Sequence, residues 1–221
     1  MQVPGEALLV KLWESIADKG IGSLLRPWQM RREGKASVDV KRLELLALAQ
    51  TELDVAAIRR GEKVVRADGQ LAETLRISSA MPVRVETADL PLALPHYEEV
   101  TRRNAAADAM QREVHIAKAV VHAEDELAQD GQLPSSTPVS EDWLYRWREC
   151  ASAVSSEDLQ SVWGKVLAGE VKAPGRFSLR TLEFVRNLSQ SEAAVIERLS
   201  PFIIANMVYR GTDAALAMSP S

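Results

Sequence analysis

"YEEVTRRNAAADAMQREVHIAKAVVHAEDELAQ", residues 97–129, runs on without a glycine or a proline. Those two residues interrupt helices most strongly, so their absence predicts one continuous helix about 50 Å long at 1.5 Å per residue. Within it Val100, Ala107, Val114 and Val121 recur every seven residues, and Met110 and Ala117 take the following d-like positions. Such a heptad is a seam for another helix rather than the surface of an isolated rod. Its partner is either another helix of this chain or the same helix of a second copy, and the spacing alone fits both. The fold class that follows is all-α, with long helices in an N-terminal arm and a compact C-terminal multi-helix domain.

Upstream, Leu8, Leu9, Leu12, Trp13 and Ile16 fall at helical spacing and predict an amphipathic helix over 6–18 that Gly20 helps to stop. Next comes "IGSLLRPWQMRREGK", residues 21–35, a basic connector that sets Trp28 among Arg26, Arg31, Arg32 and Lys35 while Pro27 discourages a continuous helix. Residues 38–60 lack Gly and Pro, are rich in strong helix formers, and are followed by Gly61. A second long helix is predicted there. From 62 to 95 the period fades between Gly69, Pro82, Pro91 and Pro95, and only "VRVET", residues 83–87, alternates like a short strand. These signals divide the chain into a helical arm at 1–61, an irregular linker at 62–95, the long helix at 96–131 and a helical domain at 132–221.

In that last part "DGQLPSSTPVS", residues 130–140, breaks the chain. Trp143, Trp147 and Cys150 then stand at i, i+4 and i+7, the pattern of a core stripe. "SSEDLQSVWGKVLAG" opens on a capping-box-like Ser155 and Asp158 and continues with Leu159, Val162, Trp163, Val166 and Leu167 on one helical face. "SQSEAAVIERLS" repeats the device with Ser189 and Glu192.

"GEVKAPGRFSLRTL", residues 169–182, has the look of a phosphate cradle. A P-loop needs four residues between its glycines, then Lys and a hydroxyl, and it must follow a strand. Here five residues separate Gly169 from Gly175, Arg176 replaces Lys, Phe177 replaces the hydroxyl, and a helix precedes. The structural reading accounts for each residue instead: Gly169 ends one helix, Pro174 and Gly175 turn the chain, and Ser178 caps the next helix with Leu179, Leu182, Val185 and Leu188. Arg176 and Arg180 near that helix start are candidate contacts for an anion or a partner.

No metal or catalytic site emerges. His115 and His122 are seven residues apart, about 10 Å along a helix, too far to share a zinc. The Glu-x-x-His device of di-iron bundles would need glutamates where Arg112 and Ala119 stand. His122 with Asp125 and Glu126 reads as a solvated face before it reads as a weak metal site. Cys150, the only cysteine, has no His or second Cys near it in sequence, so a buried thiol is expected. No cofactor is implied.

Composition narrows the class further. With 221 residues and 46 % apolar content the chain can bury a real core, and a net charge of −4 argues against a generally basic nucleic-acid coat. A single cysteine and the lack of a signal-peptide pattern at the start fit a reducing cytoplasm. The apolar run "PFIIANMV" is far short of the roughly 20 residues that span a bilayer.

Taken together, "ESIADKGIGSLLRPWQMRREGKA", "REVHIAKAVVHAEDELA" and "VSEDWLYRWRECASAVSSEDLQSVWGKVLAGEVKAPGRFSLRTLEFVRNLSQSEAAVIERLSPFI" resemble the bacterial family known as domain of unknown function 2806. The last segment is the most specific. The resemblance implies kinship and no reaction, cofactor or catalytic residue. The order of Trp-bearing helix, "LAGE", proline-glycine turn and "LRTLEFVRNLS" is also loosely similar to the abortive-infection alpha type of bacterial protein, which implies a link to phage exclusion. That similarity implies a small strand-bearing segment at the C-terminus, and a chain ending in "AALAMSPS" is expected either to lack it or to have been cut short of it.

The functional expectation is a non-catalytic protein-interaction or self-assembly module, a homo-oligomer in the first instance, with a place in phage defence. Its alternative is nucleic-acid binding through Trp28, Arg31, Arg32, Arg176 and Arg180, since cations interleaved with an aromatic ring suit single strands. An enzyme would require a pocket that gathers His96, His115 or His122 with carboxylates.

Overall fold

The computed structural model describes residues 5–17, 38–66, 68–74, 94–188, 192, 203–204 and 207–208. Among them are six helices: α1 Glu6–Ala17, α2 Val38–Arg59, α3 Leu94–Ala128, α4 Glu141–Ser152, α5 Glu157–Lys172 and α6 Leu179–Arg186. Two short antiparallel pairs accompany them, β1 Lys63–Val65 with β2 Leu71–Glu73, and β3 Ile203–Ile204 with β4 Met207–Val208. The protein is all-α in character. Met1–Ser178 form one compact unit and Leu179–Ser221 another.

The first unit is built around α3. This helix packs most extensively on α5, then on α2, and also meets α4 and α1. Its heptad is spent inside the chain: Ala107, Val114 and Ala117 are fully buried, Val121 nearly so, and Ala107 clusters with Val55 and Ile58 of α2, with Met110 and Val65 against them. Of the two partners that the spacing allowed, the one found is within the chain. The helix also begins earlier than its first proline suggests, because Pro95 sits in the first turn, where its missing N–H has no intrahelical acceptor to lose.

Close approach of α3 and α5 depends on a glycine. A Cβ on Gly164 would lie 2.5 Å from the His122 Cβ and 2.7 Å from the Ala119 carbonyl oxygen, inside the backbone of the facing helix. The backbone it would meet belongs to Ala119 and Ala123, both fully buried.

Helix α2 ends as Gly61 predicts. Glu62 N–H reaches the Ala57 carbonyl and Gly61 N–H reaches that of Ile58, a Schellman motif with Gly61 at φ +76°. The segment after it, expected to be irregular, opens with a β-hairpin. Gly69 at φ +79° turns it, and Val65 pairs Leu71 while Lys63 pairs Glu73. An Asp-Gly pair between short apolar runs is a hairpin signal, so "KVVRADGQLAE" held it. "VRVET", Gly20, Pro82, Pro91 and the Ser189 cap lie outside the described residues.

In α4 the expected stripe is core: Trp143, Trp147 and Cys150 are buried, and Trp147 Nε1 donates to the Trp163 carbonyl at 3.0 Å. The cap of α5 is Ser156 and not Ser155, and neither its side chain nor that of Ser140 before α4 makes a capping hydrogen bond. Acidic residues follow both, Glu141 and Asp142 in α4 and Glu157 and Asp158 in α5, and their charges favour the positive helix start.

Candidate functional site

At the corner after α5, Ala173 to Arg176 form a turn with Pro174 leading and Gly175 at φ +86°, closed by Arg176 N–H to the Ala173 carbonyl at 3.0 Å. Gly169, however, does not end α5, which runs on to Lys172. It makes room: a Cβ there would lie 2.6 Å from the Phe177 ring. Beside it Glu170 is 1 % exposed, and its two carboxylate oxygens accept Gly175 N–H at 2.6 Å and Phe177 N–H at 3.0 Å. The backbone donors that a phosphate cradle would turn to a ligand are therefore satisfied by the protein's own carboxylate. Arg176 is exposed and its guanidinium lies over the Phe177 ring, 5.6 Å from the centroid. Arg180, on α6, is exposed as well.

The other candidate contacts, Trp28, Arg31 and Arg32, lie outside the described residues, as does the side chain of His96. His115 is buried and occupied by structure, its Nδ1 2.9 Å from the Ser152 carbonyl and its Nε2 2.9 Å from the Gln111 amide nitrogen. Cys150 is buried and forms no disulfide. No group of three or more His, Cys, Asp or Glu among the described residues is placed to hold a metal ion.

His122 lines a cleft that carboxylates also line. Where α2, α3 and α5 diverge there is a cleft of about 380 Å³, with Glu52 from α2, His122 and Asp125 from α3 and Glu157 from α5 on its walls. Lys118 also faces it, its ammonium 2.5 Å from Glu52. Leu45, Leu48, Ala49 and Val121 supply the apolar wall, and Gln160 is also part of the lining. Four of these residues come from α2, so helix spacing from one element delivers Leu45, Leu48, Ala49 and Glu52 to the cleft at i, i+3, i+4 and i+7.

The outer face of α2 continues from that cleft. Glu44, Leu48, Val55 and Ile58 are buried, the last two against Ala107 of α3, whereas Leu46 and Leu53 are 57 % and 64 % exposed, with exposed Ala49 between them. Leu43, on the flank, is exposed too. Positions 46, 49 and 53 repeat the a, d, a spacing of a helix-pairing seam, here unburied. The sequence left open whether the α3 seam pairs within the chain or between copies, and it pointed to no exposed seam on α2. Leucines all round α2 blur its periodicity, so the pattern could not show which side faces inward.

A second groove, about 570 Å³, lies between α1 and the loop 134–139, with Val10, Glu6 and Glu14 along it. Lys11 closes its floor by donating to the Ser135 carbonyl at 2.7 Å, and burial pushes its ammonium below the ordinary lysine value. No helix among the described residues is long and apolar enough to cross a membrane.

A family model described as protein of unknown function (DUF2806) matches residues 99–212, just over half of the chain, from the first turns of α3 past β4. No curated protein and no solved structure matches it.

Proposed function

The chain belongs to the DUF2806 family, and on that premise we propose that it is a helical protein-interaction module that self-associates through the outer face of α2. The observation that carries this is the exposed run Leu46, Ala49 and Leu53, an apolar seam on a helix whose opposite side already meets the core. An exposed apolar seam of this kind is a surface that gains by being covered by another helix. The buried heptad of α3 gives no support to pairing between copies, because it is covered by helices of the same chain.

The reading takes a cytoplasmic location, and the likeness to abortive-infection alpha-type proteins extends it to phage exclusion. Light scattering at micromolar concentration tests its core. The parent chain is expected to be larger than a monomer, and Leu46→Glu with Leu53→Glu is expected to return it to one without loss of helix content. A parent that stays monomeric overturns self-association. The nucleic-acid reading rests on Arg176 and Arg180, both exposed, together with Trp28, Arg31 and Arg32. It requires binding at about 50 mM salt that weakens steeply as salt rises, and the absence of such binding removes it.

A further inference from the structure

Among the described lysines, Lys11 is held differently from the rest. Lys63, Lys118 and Lys172 each meet a carboxylate, Asp54 at 2.6 Å, Glu52 at 2.5 Å and Asp130 at 3.0 Å, and Lys165 is exposed to water. Lys11 is half-buried on α1, and its ammonium donates to a neutral oxygen, the Ser135 carbonyl, at 2.7 Å. Burial is the one influence on that ammonium and sets it below the ordinary lysine value of 10.5. A carboxylate would hold the proton in place; a carbonyl with partial burial does not, so the neutral amine is more populated than on a solvated lysine. The neutral amine is the form with a lone pair to give.

The surroundings leave room for a reagent. Lys11 lines the groove of about 570 Å³ between α1 and the loop 134–139, where Val10, Pro138, Val139 and Leu144 supply carbon surface that suits a short acyl chain. We propose that Lys11 is a modification site, acylated on Nζ by a small acyl thioester. The Nζ lone pair attacks the thioester carbonyl carbon, a C–N bond forms and the C–S bond breaks. The sulfur leaves with the electron pair of that bond and takes up, through water, the proton that the nitrogen loses. The product amide keeps one N–H for the Ser135 carbonyl where the ammonium had three, so the tie between α1 and the loop is retained while its charge is removed. This goes beyond self-association, because it involves α1 and not the outer face of α2.

The test is incubation of the full chain with S-acetyl-N-acetylcysteamine, a simple acetyl thioester, at about pH 8, each lysine being followed over time by peptide mass spectrometry. In the folded protein Lys11 is expected to be acetylated several-fold faster than Lys63, Lys118, Lys165 and Lys172. In concentrated urea, where burial is lost, the five are expected to react at similar rates. The Lys11 rate is also expected to level off at a lower pH than that of exposed Lys165. Lys11→Arg keeps a cation at the position and is expected to delete the Lys11 product alone, which assigns the peptide. In the acetylated protein the backbone amide of Ser136, whose peptide group contains the accepting carbonyl, is expected to shift in NMR while helix content is unchanged. The proposal is overturned if Lys165 is acetylated as fast as Lys11, or if Lys11 keeps its lead in urea, which would make the lead a property of the local sequence and not of the groove. Loss of helix content on acetylation would overturn it too, because the groove would then not accommodate the product.

Discussion

Glu170 and Gly175 lie five residues apart in sequence and 2.6 Å apart in the fold, the buried carboxylate accepting the glycine N–H while its other oxygen takes that of Phe177. One side chain thus holds the turn that reverses the chain after α5. Glu170→Gln keeps the shape but puts an NH₂ where an acceptor is needed, so one backbone donor is left unpaired in a partly buried place. A loss of about 1–3 kcal/mol is expected in denaturant unfolding. Arg176→Ala, which removes only an exposed cation over the Phe177 ring, is expected to cost about 0.5–1 kcal/mol. If the Arg176 change were the costlier, the corner would owe its order to the cation and not to the carboxylate.

This corner shows how far the sequence reaches. The turn was legible at Pro174 and Gly175, because both residues restrict or permit backbone angles locally. The roles of Gly169 and Glu170 were not, since they depend on a ring and two N–H groups that the turn itself brings back. Helix limits read well for the same local reason: α2 was expected at 38–60 and found at Val38–Arg59, with Gly61 closing it. The polar cleft collects Glu52, His122 and Glu157 from three helices, and no spacing along one chain segment can reveal that.

Two glycines of α5 should respond oppositely to the same change. At Gly164 an added methyl meets backbone, the Ala119 carbonyl at 2.7 Å and Ala123 nitrogen at 3.0 Å, so α3 and α5 must separate. Gly164→Ala is expected to destabilise by about 1–3 kcal/mol. At Gly169 the obstacle is the Phe177 ring, which is removable. In a Phe177→Ala background Gly169→Ala is expected to stabilise by about 0.5–1 kcal/mol through helix propensity, whereas in the parent the gain is cancelled or reversed. A double-mutant cycle by thermal or denaturant unfolding reads the coupling, and an additive result would show that ring and glycine do not interact.

The two sides of α2 should separate by stability. Ile58 is fully buried against α3, and Ile58→Ala is expected to cost about 2–5 kcal/mol. Leu53, 64 % exposed, is expected to change the unfolding free energy by less than about 0.5 kcal/mol when replaced by Ala in dilute, monomeric protein. Its effect should appear only as concentration rises, because a contact between copies stabilises by mass action. A Leu53→Ala cost as large as that of Ile58→Ala at high dilution would place this face inside the fold.

Two ion pairs of the first unit should lose their value at opposite ends of the pH scale. Asp130, just past α3, accepts the Gln132 N–H and lies 3.0 Å from Lys172 at the end of α5. The backbone hydrogen bond first, and then the lysine, hold its carboxyl below the ordinary aspartate value of 3.8. A lowered folded value means that the stabilisation is complete above that ordinary value and disappears as pH falls through the folded one. Lys63 of β1 donates to Asp54 of α2 at 2.6 Å, and that bond, the largest influence, raises its ammonium above 10.5. A raised folded value reverses the sign: the stabilisation is complete below 10.5 and is lost as pH rises through the folded value. Unfolding measured from acid to alkaline pH should therefore show Asp130→Asn converging on the parent only in acid, and Lys63→Met converging on it only in alkali. Parallel curves for either variant would mean that its partner contributes no charge-dependent stability, and the link between α3 and α5, or between α2 and β1, would have to rest on packing alone.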